Sequence, residues 1–170
     1  MAEDLLSDSN TKWMRMALQE ALLGGGDLGS KDQSATIDSD IPIAALLVQD
    51  GELLAKSKNR KEEMRDPTAH AEILAIREAA RKLGTWRLDG LVMYTTLEPC
   101  PMCAGALVNS RVARIVYGCD DPIAGACGSV FNIVNEKRLN HRIPVVKGVL
   151  GDRCSEILKS FFRSRRQASK

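Results

Sequence analysis

The sequence predicts an α/β domain, a three-layer α/β/α sandwich built on a five-stranded mixed sheet. Three observations carry that reading. Apolar runs of strand length alternate with segments of helical period along most of the chain. The first two runs are joined by a Gln-Asp-Gly turn, which marks a hairpin. Each later run is separated from the next by a helical segment, so the remaining strands are expected to lie mostly parallel, with helices on both faces. At 170 residues the chain has the length of one domain, 1–170.

A helix is expected over 11–23. There Trp13, Met14, Ala17, Leu18, Ala21 and Leu22 recur at helical spacing, polar Ser9 and Asn10 precede the run, and a Gly-Gly-Gly stretch ends it. Residues 24–40 hold almost no large apolar side chain and read as a flexible surface loop. Residues 41–59, IPIAALLVQDGELLAKSKN, read as the hairpin, with a first strand buried on both faces. A second helix is expected over 66–84, capped by Asp66, with Pro67 in its first position and Gly84 as its stop. Then follow a strand (91–97), a helix (100–110), a strand (113–119), a short helix (129–139) and a strand (143–149). The last helix, 152–167, carries Cys154, Ile157, Leu158, Phe161 and Phe162 as one apolar stripe.

Hydrophobic residues make up 44% of the chain and charged residues 27%, as in ordinary soluble proteins. The longest apolar run, 41–48, is too short to cross a bilayer, and the acidic, polar first ten residues do not resemble an export signal. A cytoplasmic protein without membrane contact is expected. The net charge of +2 is small, yet residues 159–170 hold five basic side chains and no acidic one. Such an end either complements a helix dipole or neutralises phosphates.

Five cysteines is an odd count, and only Cys100 and Cys103 are close in sequence, so a disulfide framework is not expected. Cys119, Cys127 and Cys154 sit among small or apolar neighbours and read as packing residues. The Cys100/Cys103 pair can be a redox dithiol, half of a structural zinc clip, or part of a catalytic metal site. Both cysteines open a helix, where the dipole favours the thiolate that binds zinc. His70 opens the preceding helix, and helix starts in such a sheet gather at the carboxyl ends of the strands. His70, Cys100 and Cys103 can therefore converge as three ligands. A structural zinc site is closed by four protein ligands, whereas a catalytic one leaves a place for water. His141 reads as an ordinary loop residue, so the three-ligand, catalytic reading is preferred. Two thiolates neutralise the zinc charge and weaken its acidity, which makes a carboxylate that takes a water proton valuable. Glu72 fills that role if the helix points end-on into the site.

His70-Ala-Glu72, twenty-six residues, then Pro99-Cys100-Pro-Met-Cys103 resembles the known signature of the zinc-dependent nucleobase deaminases, the cytidine deaminase-like superfamily. The stretches DPTAHAEILAIREAA, YTTLEPCPMCAGALVNSRVARIVYG, DDPIAGACGS and FFRSRRQ resemble the tRNA adenosine deaminase branch, from about Pro42 to the last helix. That resemblance implies hydrolytic conversion of adenosine to inosine at the wobble position of a tRNA anticodon stem-loop, by a homodimer with one zinc per subunit. Water would attack C6 of the unstacked adenine while Glu72 moves protons to N1 and to the departing ammonia. The resemblance further assigns His70, Cys100 and Cys103 as zinc ligands, Glu72 as proton shuttle, and Asn59 to the flipped nucleoside. It sets Asp121 beside the anticodon loop and Arg163, Arg165 and Arg166 on the basic end. Without it, Asn59 and Asp121 read as strand-end and turn residues. Two departures stand out: Ala44 replaces a usual Gly, and the 24–40 loop is long. The rival reading is a deaminase of free guanine, cytosine or a nucleoside, which needs no basic tail.

Overall fold

The computed structural model describes residues 7–23 and 40–168. In chain order the elements are α1 (Asp8–Leu22), β1 (Ala44–Gln49), β2 (Glu52–Lys58), a one-turn α2 (Lys61–Met64), α3 (Ala71–Leu83), β3 (Val92–Leu97), α4 (Pro101–Asn109), β4 (Arg114–Cys119), a 3-10 turn (Ile133–Asn135), β5 (Val145–Lys147) and α5 (Gly151–Ala168). The five strands form one sheet in the order β2-β1-β3-β4-β5. β1 runs antiparallel to both β2 and β3, while β3, β4 and β5 are parallel. The sheet is thus mixed, half antiparallel by pairing, because the hairpin strand also borders β3.

Side-chain alternation along the strands sorts the core into two layers. Ala45, Leu47, Met93, Ile115 and Tyr117 pack on α3 and α4 through Ala71, Ala75, Ala79, Ala104 and Leu107. Leu46, Val48, Tyr94 and Val116 face the other way, against Trp13, Met14, Ala17 and Leu18 of α1 and Cys154 of α5. Residues Ala44 to Val48 are all buried, as expected for a strand covered on both faces. The layer under α3 is built on alanines, which lets that helix lie close to the sheet and carry its first turn to the strand ends. Gly118 of β4 serves the opposite face: a Cβ there would lie 2.3 Å from Cys154 Sγ and 2.6 Å from the Thr96 carbonyl.

Several boundaries differ from the sequence expectations. The helix expected over 129–139 is only the 3-10 turn Ile133–Asn135, because the side chains along it do not share a buried face; only Val134 of that turn is buried. α3 starts at Ala71 and not at Pro67, since Asp66 turns inward on Thr68, accepting from its N–H at 2.8 Å and its hydroxyl at 2.7 Å. His70 itself becomes the residue that opens the helix. Gly84 does end it, in a left-handed conformation at φ 67°. α1 begins earlier than expected, behind Ser7, whose hydroxyl accepts from the Asn10 N–H at 3.3 Å. Asn10 is buried and accepts from the Tyr94 hydroxyl at 2.9 Å. Most of the loop expected over 24–40 lies outside the described residues. Its last residue, Asp40, is buried: its carboxylate accepts from Glu62 N–H (2.7 Å), Glu63 N–H (3.0 Å) and Asn59 Nδ2 (3.2 Å). Those bonds hold the start of α2, a turn that the sequence pattern did not reveal.

Candidate active site

The site is assembled by two helix starts and two strand ends. His70 is the residue before α3, at φ −70° and ψ 150°, and Cys100 is the residue before α4, at φ −72° and ψ 172°. Neither side chain caps its own helix, so both are free to point forward into the gap between the helices. Pro101 suits the first helical position, where an N–H would be unsatisfied. One turn on, Cys103 returns to the same face.

Cys100 Sγ lies 3.7 Å and Cys103 Sγ 3.6 Å from His70 Nδ1. Among the described residues these three form the one group of His, Cys and carboxylate side chains whose ligand atoms all lie within 4.8 Å of one another. A tetrahedral zinc with bonds of roughly 2.3 Å to sulfur and 2.0–2.1 Å to nitrogen has nitrogen–sulfur edges of about 3.6 Å. Both nitrogen–sulfur separations therefore match the edges of such a tetrahedron, and the group can hold a metal. His141 is not part of it; its Nε2 lies 2.8 Å from the Val112 carbonyl.

Protonation follows from the same contacts. The hydrogen bond from Cys103 brings Cys100 down to about 4, and that bond pushes the Cys103 thiol up. Zinc binds the thiolate form, so a cation held there would favour release of the proton on Cys103. His70 is shifted up, chiefly through its bond to Cys100. Glu72, 4% exposed in the first turn of α3, is shifted up chiefly by burial. A carboxyl group so placed takes and returns a proton more readily near neutral pH than an exposed one.

A cavity of about 220 Å³ opens beside these groups, lined by Asn59, Lys61, His70, Glu72, Cys100 and Asp121 among others. It is smaller than the roughly 300–1,000 Å³ of drug-sized ligand pockets. Asn59 and Asp121 are both among its lining residues. Asn59 is buried and oriented by Asp40. Asp121 Oδ1 accepts from Ile123 and Ala124 N–H at 2.9 and 3.1 Å. Arg163, Arg165 and Arg166 do not line it; they are exposed on the last turns of α5, with Arg165 over the Phe161 ring at 5.3 Å. Ala44 is buried within β1 and is not among the lining residues. All five cysteines are free of disulfides; Cys127 and Cys154 are buried as packing residues, and Cys119 is half-buried.

Two residues near the site went unread in the sequence. Asp40 gives no signal, since it closes a polar stretch. Glu98 had one: a charge set between an apolar strand and a Pro-Cys pair has no route to solvent. It is 2% exposed, and its carboxylate accepts from three main-chain N–H groups, those of Asp121, Cys127 and Ser129.

Comparison with known proteins matches residues 27–166 to the MafB19-like deaminase family. The chain is 44% identical over 158 residues to the tRNA-specific adenosine deaminase of Bacillus subtilis, covering 93% of this chain and 91% of the relative. It is 38% identical over 170 residues to that of Haemophilus influenzae, covering 99% and 92%. Among solved structures, a tRNA:A34 deaminase that edits A to I at the wobble position superposes with a TM-score of 0.75 at 40% identity, covering 87% of this chain and 99% of that one. A guanine deaminase from Nitrosomonas europaea superposes at 0.66 with 25% identity, covering 91% and 84%.

Proposed function

The chain belongs to the MafB19-like deaminases and, among them, to the tRNA-specific adenosine deaminases, and from that premise we propose how its residues divide the work. Its reaction is hydrolytic deamination of adenosine to inosine at the wobble position of a tRNA anticodon. The spacing of three ligand atoms on one tetrahedron, beside a buried Glu72, is the observation that carries the assignment of roles.

His70 Nδ1, Cys100 Sγ and Cys103 Sγ would hold one zinc ion per subunit. When bound, that ion supplies the Lewis acidity that makes water a nucleophile near neutral pH. Glu72 takes a proton from the attacking water and passes it to N1 of adenine. It then delivers the second proton to the exocyclic nitrogen, which leaves as ammonia. Water and adenosine thereby become inosine and ammonia. The small cavity suits a single base, so the adenosine enters flipped out of its loop while the rest of the RNA stays outside. Asn59, fixed by Asp40, binds the flipped nucleoside, and Asp121 meets the anticodon loop at the mouth. The exposed Arg163, Arg165 and Arg166 neutralise phosphates further along the RNA.

A homodimer is part of the reading. It is supported by large apolar side chains exposed on the segments that carry the site: Met102, Ile123, Val130 and Phe131. No helix among the described residues is long and apolar enough to cross a membrane, and a tRNA substrate favours the cytoplasm. The test is incubation with total tRNA followed by sequencing for A-to-I changes, with guanine, cytosine and free adenosine supplied in parallel. Inosine should appear at anticodon wobble adenosines. Faster turnover of a free base or nucleoside would favour the small-molecule reading instead.

A further inference from the structure

Glu98 takes no part in the proton transfers above, yet it touches both halves of the site. Its N–H donates to the Cys119 carbonyl at 2.9 Å, joining the ends of β3 and β4. Two residues on, the chain reaches Cys100. Its Oε2 accepts from Asp121 N–H at 3.0 Å, and its Oε1 from Cys127 N–H at 2.9 Å and Ser129 N–H at 3.1 Å. Apart from a single bridge between Cys127 and Asn132, residues 121–129 belong to no sheet or helix that could fix their path. The loop closes on itself, with Gly125 N–H donating to the Asp121 carbonyl and Phe131 N–H to the Gly125 carbonyl, both at 2.9 Å. Gly125 passes directly over the carboxylate. A Cβ there would lie 2.2 Å from Glu98 Oε2 and 2.6 Å from the Asp121 carbonyl. A carboxylate buried to this degree persists only where hydrogen bonds replace its water, and here the loop supplies them.

We propose that Glu98 is a positioning residue for RNA binding: its carboxylate holds the 121–129 loop so that Asp121 stands at the mouth of the cavity. This rests on the tRNA reading of the site. Glu98 and Asp121 both line that cavity, so the carboxylate links the sulfur-bearing turn to the substrate-facing loop. The two should act as one unit on substrate binding and far less on the chemical step.

The experiment compares the parent, Glu98→Gln, Asp121→Ala and the double variant on an anticodon stem-loop, with metal content measured for each. Gln keeps the volume but puts an NH2 where one oxygen accepted. The KM of Glu98→Gln should rise about tenfold to a hundredfold, the scale of lost charge-assisted hydrogen bonds, with a much smaller fall in kcat. Asp121→Ala should add little in the Glu98→Gln background, because the loop is already misplaced. Gly125→Ala keeps Glu98 intact and crowds the loop off it, so it should raise KM in the same way. It decides the matter if Glu98→Gln loses metal or unfolds. Parental KM in Gly125→Ala overturns the positioning role, and so do parental or fully multiplicative effects in the other variants. A parent protein inactive on the stem-loop overturns the tRNA reading, and the role with it.

Discussion

Replacing Glu72 by Gln isolates the proton transfer from everything else the site does. The side chain is 4% exposed and borders the cavity with His70 and Cys100, so a near-isosteric amide keeps the packing of the first turn of α3. It contributes no ligand atom to the His70, Cys100 and Cys103 group, so metal content should match the parent. What disappears is a carboxyl group that burial holds above its ordinary protonation range and that can both accept and return a proton. General acid–base catalysis of this kind is worth roughly 10²–10⁴-fold, or about 2.7–5.4 kcal/mol at 1.36 kcal/mol per tenfold. The assay is single-turnover inosine formation on an anticodon stem-loop, read beside binding affinity and metal analysis. The single-turnover rate should fall within that range while affinity and metal stay at the parental level. Stability should not fall, since an uncharged amide is no costlier to bury than a carboxylate. A rate above one tenth of the parent, with metal retained, would refute the shuttle. So would a lost rate explained entirely by lost metal.

Three further outcomes follow from other parts of the molecule. Cys103→Ala removes a buried ligand and should abolish stoichiometric zinc binding; full occupancy by metal analysis would contradict the three-ligand assignment. Replacing Arg163, Arg165 and Arg166 with Ala should flatten the log–log salt dependence of RNA binding by roughly 2 to 3 if each meets a phosphate. Between 50 and 200 mM salt the parent should therefore lose roughly 20- to 40-fold more affinity than the variant, and parallel salt curves would reduce these residues to a helix end. Gly118→Ala drives a methyl group against Cys154 Sγ and the Thr96 carbonyl. At about 1–3 kcal/mol for overpacking, its melting temperature should fall by roughly 2–12 °C, and an unchanged melting curve would contradict the packing described for β4 and α5.

The parts of this molecule that were legible in the sequence are those that repeat or that are chemically rare. Periodicity marked α1, α3 and α5 and the buried β1, because burial selects one face of a helix and every position of a covered strand. Two cysteines beside prolines and a histidine two residues before a glutamate stood out because few other arrangements need them. The misjudged segments are those where a local polar side chain outcompetes the pattern. Asp66 turned to Thr68 and so delayed α3 by a few residues, which is what left His70 at the helix mouth. Asp40 seeded a turn that periodicity could not register, since four residues carry no period. The 129–139 segment contains enough apolar residues for a helix, but its N–H groups are taken by the carbonyls of the preceding loop, Gly125 and Ala126, and by the Glu98 carboxylate, 31 residues from Ser129.

Cys100 and Cys103 belong to one turn, whereas His70 reaches them across an interval of 30 residues and from a different helix. An unfolded chain can present the two sulfurs to an ion at any moment, but the imidazole is held beside them only while β1 and β3 keep their register and both helices rest on the sheet. Ligation by all three is consequently a report that one particular layer has formed. An ion held there would act as a rivet through that layer, slowing amide exchange in α3 and α4 far more than in α1 and α5, which lie across the sheet and share none of its ligands. Stripping the ion should loosen the protein unevenly, one face before the other.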